Sequence, residues 1–268
     1  MHATNPPLVL IFGPFDPSGS GSLPADAVTL AALGCHALSV LTAVQVHDTA
    51  DIESIELLSP EIIDDQARCM LEDMTVQAFK VGPLYTTEAV SVLAQIAADY
   101  SHVPLVLQLS AAPTESLLED TDAEDVHMAI CELLLPQTDI VVADHMLLER
   151  MQSQGLLAGA RGTNGSPAKA LLNFGAAWVL STGAPLRPGQ QGYVLQGQQR
   201  ETSNWPWTAP AARTADADGP LACAITTQLA RGVPVVQAVD AAIALAGPLS
   251  RRVFQPGMGQ RLINRCAS

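Results

Sequence analysis

The sequence predicts an α/β protein, a three-layer αβα sandwich on a mainly parallel central sheet. Three observations predict it. Short β-rich apolar runs alternate with amphipathic helical stretches along the chain. The runs are nearly continuous in apolar character, as strands covered on both faces are. Helix start and stop signals fall between them. At 268 residues, 48% hydrophobic and 15% charged, the chain can fill one large core. No repeat or linker divides it, so residues 1–268 read as a single domain.

Residues 7–12 give the first strand. Residues 23–33 form a helix closed by Gly34, a residue type suited to the left-handed stop. Residues 36–46 are apolar and β-branched, as a strand requires. Ser59-Pro60-Glu61-Ile62 opens a helix that runs to about residue 73, with Ser59 as N-cap and proline at the first helical position. Residues 77–81 form a strand ending at Gly82, and Thr86 or Thr87 caps a helix through residue 98. Next come strand 104–109 (PLVLQL), helix 126–135, strand 139–143 (DIVVA) and helix 146–152. Helix 166–173 leads to strand 177–181 (AWVLS), which ends near Gly183. The Gly/Gln-rich stretch 188–199 reads as a surface loop and turn, with 192–196 and 201–207 set to pair as a hairpin. Two Ala-rich helices, about 219–231 and 234–250, complete the pattern.

Composition excludes several functions. A formal charge of −14 and a pI near 4.6 oppose nucleic acid and anionic membranes as partners. The apolar run 8–12 is too short to span a bilayer. No basic segment or small-residue cleavage site surrounds it, which argues against a secretory signal. Cys35, Cys69, Cys131, Cys223 and Cys266 lack metal-like spacing and read as free thiols in a reducing cytoplasm, packed as small core hydrophobes. No metal-ligand motif appears, so no resident metal is expected. The chain has only two lysines, Lys80 and Lys169. A polyanionic ligand would therefore depend on arginine, a metal ion or backbone N–H groups.

Parallel sheets bind ligands at the C-terminal ends of their strands. That rule singles out 13–22, 45–49, 82–85, 108–113, 143–145, 181–184 and the turn 214–220. GPFDPSGSGS (13–22) is neither a Walker loop nor a dinucleotide fingerprint. Asp26, just beyond it, brings a carboxylate to the cleft. His47-Asp48 and Asp144-His145 are neighbours on extended chain, so their side chains point opposite ways and neither pair is a ready dyad. The segment TADADGPLACAI (214–225) enters an apolar helix in the manner of a phosphate cradle, yet it carries two aspartates.

Together these loops resemble one family. DPSGSGSLPADAVTLAALGCHALSVLTAV, FKVGPL (79–84), ELLLPQTDIVVADHMLLERM and ACAITTQLARGVPVVQAVDAA are similar to segments of the hydroxymethylpyrimidine/phosphomethylpyrimidine kinases of thiamine biosynthesis. QPGMGQ (255–260) has a counterpart in some members. The resemblance implies a ribokinase-like fold, ATP and Mg²⁺ as cofactors of an active enzyme, a small pyrimidine ligand and a homodimer. It implies substrate contacts at Asp26, His47 and Gly82, and a nucleotide or phosphate turn made of Gly183, Asp216, Ala217 and Gly219.

The family's turn is Gly-Thr-Gly-Cys, and gapless alignment sets Asp216-Ala217-Asp218-Gly219 against it. Two carboxylates there would repel a triphosphate, each pair at 4 Å costing about 4 kcal/mol at an effective dielectric near 20. The family's pyrimidine-contacting glutamine aligns with His47, its strand-end Asp-Pro with Gln108-Leu109, and its Asn-x-x-Glu with the segment from Asp144 to Leu147. Lys-Gly-Gly becomes Ser181-Thr182-Gly183. Three readings follow. In an active pyrimidine kinase, Asp218 is the catalytic base if the turn slips by one residue. In a non-catalytic paralogue (a pseudoenzyme), the pyrimidine-like pocket or a protein partner is retained without turnover. In a changed enzyme, Asp144, Asp216 or Asp218 act on another substrate.

Overall fold

The computed structural model describes residues 5–111, 113, 117–118, 121–157, 166–199, 201–207, 214 and 216–266. Among these, nine strands form one sheet in the order β3-β2-β1-β4-β5-β6-β7-β8-β9. Its centre is six parallel strands: β1 (Leu8–Phe15), β2 (His36–His47), β4 (Ala78–Val81), β5 (Leu105–Gln108), β6 (Ile140–Asp144) and β7 (Trp178–Arg187). Antiparallel β3 (Ile52–Leu57) closes one edge, and β8 (Gln190–Gly197) with β9 (Thr202–Pro206) closes the other.

Alternation along the strands makes the layers. Leu10, Phe12, Leu105, Leu107, Val141 and Val179 point into one core. That core is covered by α2 (Pro60–Asp73), α3 (Thr87–Asp99), α4 (Ala123–Ala129), α5 (His145–Ser153) and α6 (Pro167–Asn173). Their neighbours Val9, Ile11, Val106, Ile140, Val142 and Leu180 point the other way, under α1 (Ser22–Ala32), α7 (Gly219–Ala230) and α8 (Val235–Ser250). The near-complete burial of α7, which packs against both α1 and α8, explains its largely apolar sequence.

Local chemistry sets the boundaries. Ser59 and Thr86 accept from the backbone N–H groups of Ile62 and Ala89, capping α2 and α3 as their sequences predict. Gly34 stops α1 with φ +82°. The structure corrects three expectations. β3 has no counterpart among the strands expected from sequence, because its IESIEL segment is largely solvent-facing and lacks the apolar run of a central strand. The stretch 188–199 is mostly strand, because β7 runs past Gly183 and turns at Gly189 (φ +76°) into β8. Helix 126–135 begins at Ala123, and its second half is a π turn (Ile130–Leu134) followed by a 3-10 turn (Leu135–Gln137). The C-terminal chain folds back through a short hairpin, β10 (Val253–Phe254) and β11 (Leu262–Ile263). Cys35, Cys131 and Cys223 are buried, but Cys69 and Cys266 are exposed, so only three of the five serve the core.

Candidate functional site

One cleft opens at the C-terminal ends of the parallel strands. Six of the seven strand-end segments singled out from sequence line it, bringing together Asp16, Asp26, His47, Gln108, Asp144 and Asp218. Segment 181–184 contributes no lining residue among those described.

The first loop is organised by Asp16. Its carboxylate accepts from the backbone N–H groups of Ser18 (2.8 Å) and Gly21 (2.9 Å), and from the hydroxyls of Ser18 and Ser20 (2.6 Å each). Burial works to raise its pKa, but these hydrogen bonds outweigh it and hold the carboxyl below its ordinary value. His47 Nδ1 lies 3.1 Å from Asp16 Oδ1, across the loop. His145 faces Glu149 on its own helix at 3.8 Å. Each histidine thus pairs with an acid other than its sequence neighbour: His47 ends a strand, but His145 opens α5 and meets Glu149 one turn on, a correction to the extended chain expected there.

Behind the cleft runs a buried chain of charges. Lys80 on β4, 1% exposed, donates to Asp26 Oδ2 at 2.6 Å and to Gln108 Oε1 at 2.8 Å. Gln108 Nε2 donates to Asp216 Oδ1 at 2.9 Å. Asp216 Oδ2 accepts from Arg265 at 2.8 Å. At the other end Cys223 Sγ donates to Asp26 Oδ1 at 3.2 Å. Two acids and two bases alternate through one amide, so every buried charge has a partner. Burial opposes the Lys80 ammonium, but the Asp26 and Asp216 carboxylates outweigh it and keep its pKa above the ordinary value. Burial also drives the Cys223 thiol well upward, so it stays protonated and donates.

The two aspartates of the turn part company here. Asp216 is buried and paired with Arg265, and its carboxylate lies against Gly219: a Cβ added there would stand 2.0 Å from Asp216 Oδ2. The charge repulsion expected from sequence is therefore half cancelled within the protein. Asp218, immediately before α7, lines the cleft and accepts from Thr182 Oγ1 at 3.1 Å. Burial, against the Thr182 hydrogen bond and aided by Asp144 and Asp216, raises its pKa to about 7. With a pKa near neutrality it can give and take a proton there.

Other sequence-selected positions stand differently. Ala217 lines the cleft. Gly82 does not; it lines an adjoining apolar pocket, and its amide bonds the Phe12 carbonyl at 2.9 Å, where the backbones run close. Gly183 sits at an irregularity in the β7–β8 register with φ +67°, behind the Trp207 ring. Gly219 lies beneath the Asp216 carboxylate rather than open to the cleft. Asp26 lines the cleft, but Lys80 and Cys223 already hold its oxygens.

Sequence reasoning missed Lys80, Gln45, Tyr85 and Arg265. Lys80 had a signal: one of two lysines, set in the otherwise apolar strand AFKV. Gln45 and Tyr85, joined at 2.7 Å on the cleft wall, gave none beyond strand-end position. Arg265 gave none, since its contact with Asp216 spans 49 residues.

Comparison with known proteins fits this geometry. A family model described as phosphomethylpyrimidine kinase matches residues 16–264. A hydroxymethylpyrimidine/phosphomethylpyrimidine kinase of Streptomyces coelicolor is 31% identical over 241 residues, covering 88% of this chain and 86% of that one. A protein of the same name from Rhizobium meliloti is 29% identical over 228 residues, 85% of this chain and 84% of that one. In fold, the chain is similar to Bacillus subtilis pyridoxal kinase, with TM-score 0.79 and 17% identity over 97% of both chains. It is also similar to Clostridium difficile phosphomethylpyrimidine kinase, with TM-score 0.70 and 22% identity, covering 91% of this chain and 99% of that one. The fold is thus the ribokinase-like one that the resemblance implied, and the chain belongs to the phosphomethylpyrimidine kinase family.

Proposed function

We propose that the protein transfers a phosphoryl group from ATP to the hydroxymethyl group of a small pyrimidine, or to its monophosphate. The observation that carries this reading is Asp218, a carboxyl with pKa about 7 just before α7, in the same cleft as Asp26 and His47. Relatives named for this activity support it, as does the ribokinase-like fold, seen with AMP-PCP and pyridoxal in a Staphylococcus aureus pyridoxal kinase.

In this reading the substrate hydroxyl gives its proton to the Asp218 carboxylate as its oxygen attacks the γ-phosphorus, and ADP leaves. Thr182 holds the Asp218 carboxylate in place. His47, Gln45 and Tyr85 form the wall against which the pyrimidine is oriented. ATP supplies the phosphoryl group. Among the described residues, no group of three or more His, Cys, Asp or Glu side chains could hold a metal ion. Mg²⁺ would enter here with the nucleotide.

A second reading is favoured by one specific observation. The Asp216 carboxylate over Gly219 occupies part of the space that an incoming phosphate needs, which suits a pyrimidine-binding paralogue without turnover. Pyrimidine-dependent ADP formation by purified protein, beside an active relative, separates the two. The kinase reading expects turnover that Asp218→Ala abolishes. Pyrimidine binding with no ADP formation favours the paralogue, and turnover surviving Asp218→Ala removes Asp218 as the base.

A further inference from the structure

We propose that Arg265 is a positioning residue: a cation delivered by the C-terminal tail that neutralises Asp216 inside the turn and so sets the charge around Asp218. Arg265 is 7% exposed, in a chain with few basic residues. Its guanidinium donates to Asp216 Oδ2 at 2.8 Å, to Thr29 Oγ1 of α1 at 3.1 Å and to the Ser20 carbonyl at 3.3 Å. One side chain therefore ties the turn to the first loop and the first helix. The tail is laid down alongside: Arg261 pairs with Thr214 just before the turn, and the amides of Gly259 and Gln260 bond the Thr49 side chain and carbonyl at 3.1 and 2.6 Å. Arg265 stands one residue beyond the segment that the family model matches.

The electrostatic consequence follows from what surrounds the turn. Asp216 is faced by Lys80, Asp26 and Gln108 from the sheet and α1 side and by Arg265 from the tail. Asp218 is faced by Thr182, Asp144, Asp216 and Tyr193. Without Arg265, the Asp216 carboxylate becomes an unbalanced negative charge two residues from Asp218. A like charge at that range disfavours ionisation of its neighbour. A tail residue thereby governs how much of Asp218 is available as a base, while touching neither substrate nor nucleotide.

The test is a ¹³C-carboxyl NMR titration of Asp218 in the full chain, with denaturant unfolding to show that each variant is folded. Arg265→Met is expected to move the Asp218 midpoint up by about one pH unit. Arg265→Lys is expected to hold it, and Arg265→Met with Asp216→Asn to return it to the wild-type value or below. An unmoved midpoint in folded Arg265→Met, or no return in the double variant, overturns the proposal. If Arg265→Met fails to fold, Asp216→Asn alone decides: its Asp218 midpoint falls, or the proposal is wrong. The inference rests on the proposed function only in taking Asp218 as the group that matters. The titration needs no substrate, so a chain without kinase turnover would sink that reading and leave this one standing.

Discussion

The two flanks of the cleft are built from the same residue types and do opposite things. On one, Asp26, Lys80, Asp216 and Arg265 are buried and alternate in sign through the Gln108 amide, each carboxylate oxygen committed to a protein partner. On the other, Asp218 has a hydroxyl for a partner and two more acids near it. Two aspartates separated by one alanine thus divide between an ion pair and an acid left without a countercharge. The difference teaches that a carboxylate's role is fixed by the countercharge the fold brings to it, and that such countercharges come from far away in sequence.

The largest effect should come from the chemical flank. Asp218→Asn keeps the shape and removes the proton acceptor, so ADP formation should fall roughly 100- to 10,000-fold, read in a coupled assay at saturating nucleotide. The same variant should be more stable at pH 8. Because burial raises the Asp218 pKa from 3.8 to about 7, the folded state holds the proton more tightly than the unfolded one. Its contribution is neutral below the ordinary carboxyl value, turns unfavourable as pH rises through that window, and is complete above about 7. Discounted for partial exposure, the gain in Asp218→Asn at pH 8 is about 3 kcal/mol, to be read by urea unfolding. A variant that loses stability there would break the comparison.

The buried flank should respond in the opposite sense. Lys80→Met leaves Asp26 charged and unpaired in the core, with an expected loss of about 3–5 kcal/mol in the same unfolding experiment. A loss of activity without a loss of stability would place Lys80 on the chemical flank instead. The smallest effect belongs to Asp144, which touches Asp218 only through its charge. Asp144→Asn should lower the acid limb of the rate profile by about half a pH unit, with the unfolding midpoint little changed, since an asparagine oxygen can accept from Leu147 N–H and cap α5 as the aspartate does.

The fold was legible because its signals are local. Ser59-Pro60 and Thr86 announce helix starts, Gly34 a stop, and the apolar runs at 104–109 and 139–143 buried strands. β3 was not legible, since an edge strand with charged residues lacks a core face to read. The site was legible in its placement at strand ends and in Asp26, His47 and Asp218, all of which line the cleft. Its charge balance was not. Beside the family pattern, Gln108 looks like a lost acid and Asp216 like a misplaced one. In the structure the two side chains meet at 2.9 Å. Arg265 reaches Asp216 from the tail, and no local pattern could have joined residues so distant in sequence.

The most direct measurement is the pH dependence of pyrimidine-dependent ADP formation. The account predicts a rate that climbs with one ionisation near pH 7 to a plateau, and a residual Asp218→Asn rate without that step. No ADP formation beside an active relative, or a rate indifferent to pH across that range, would contradict it.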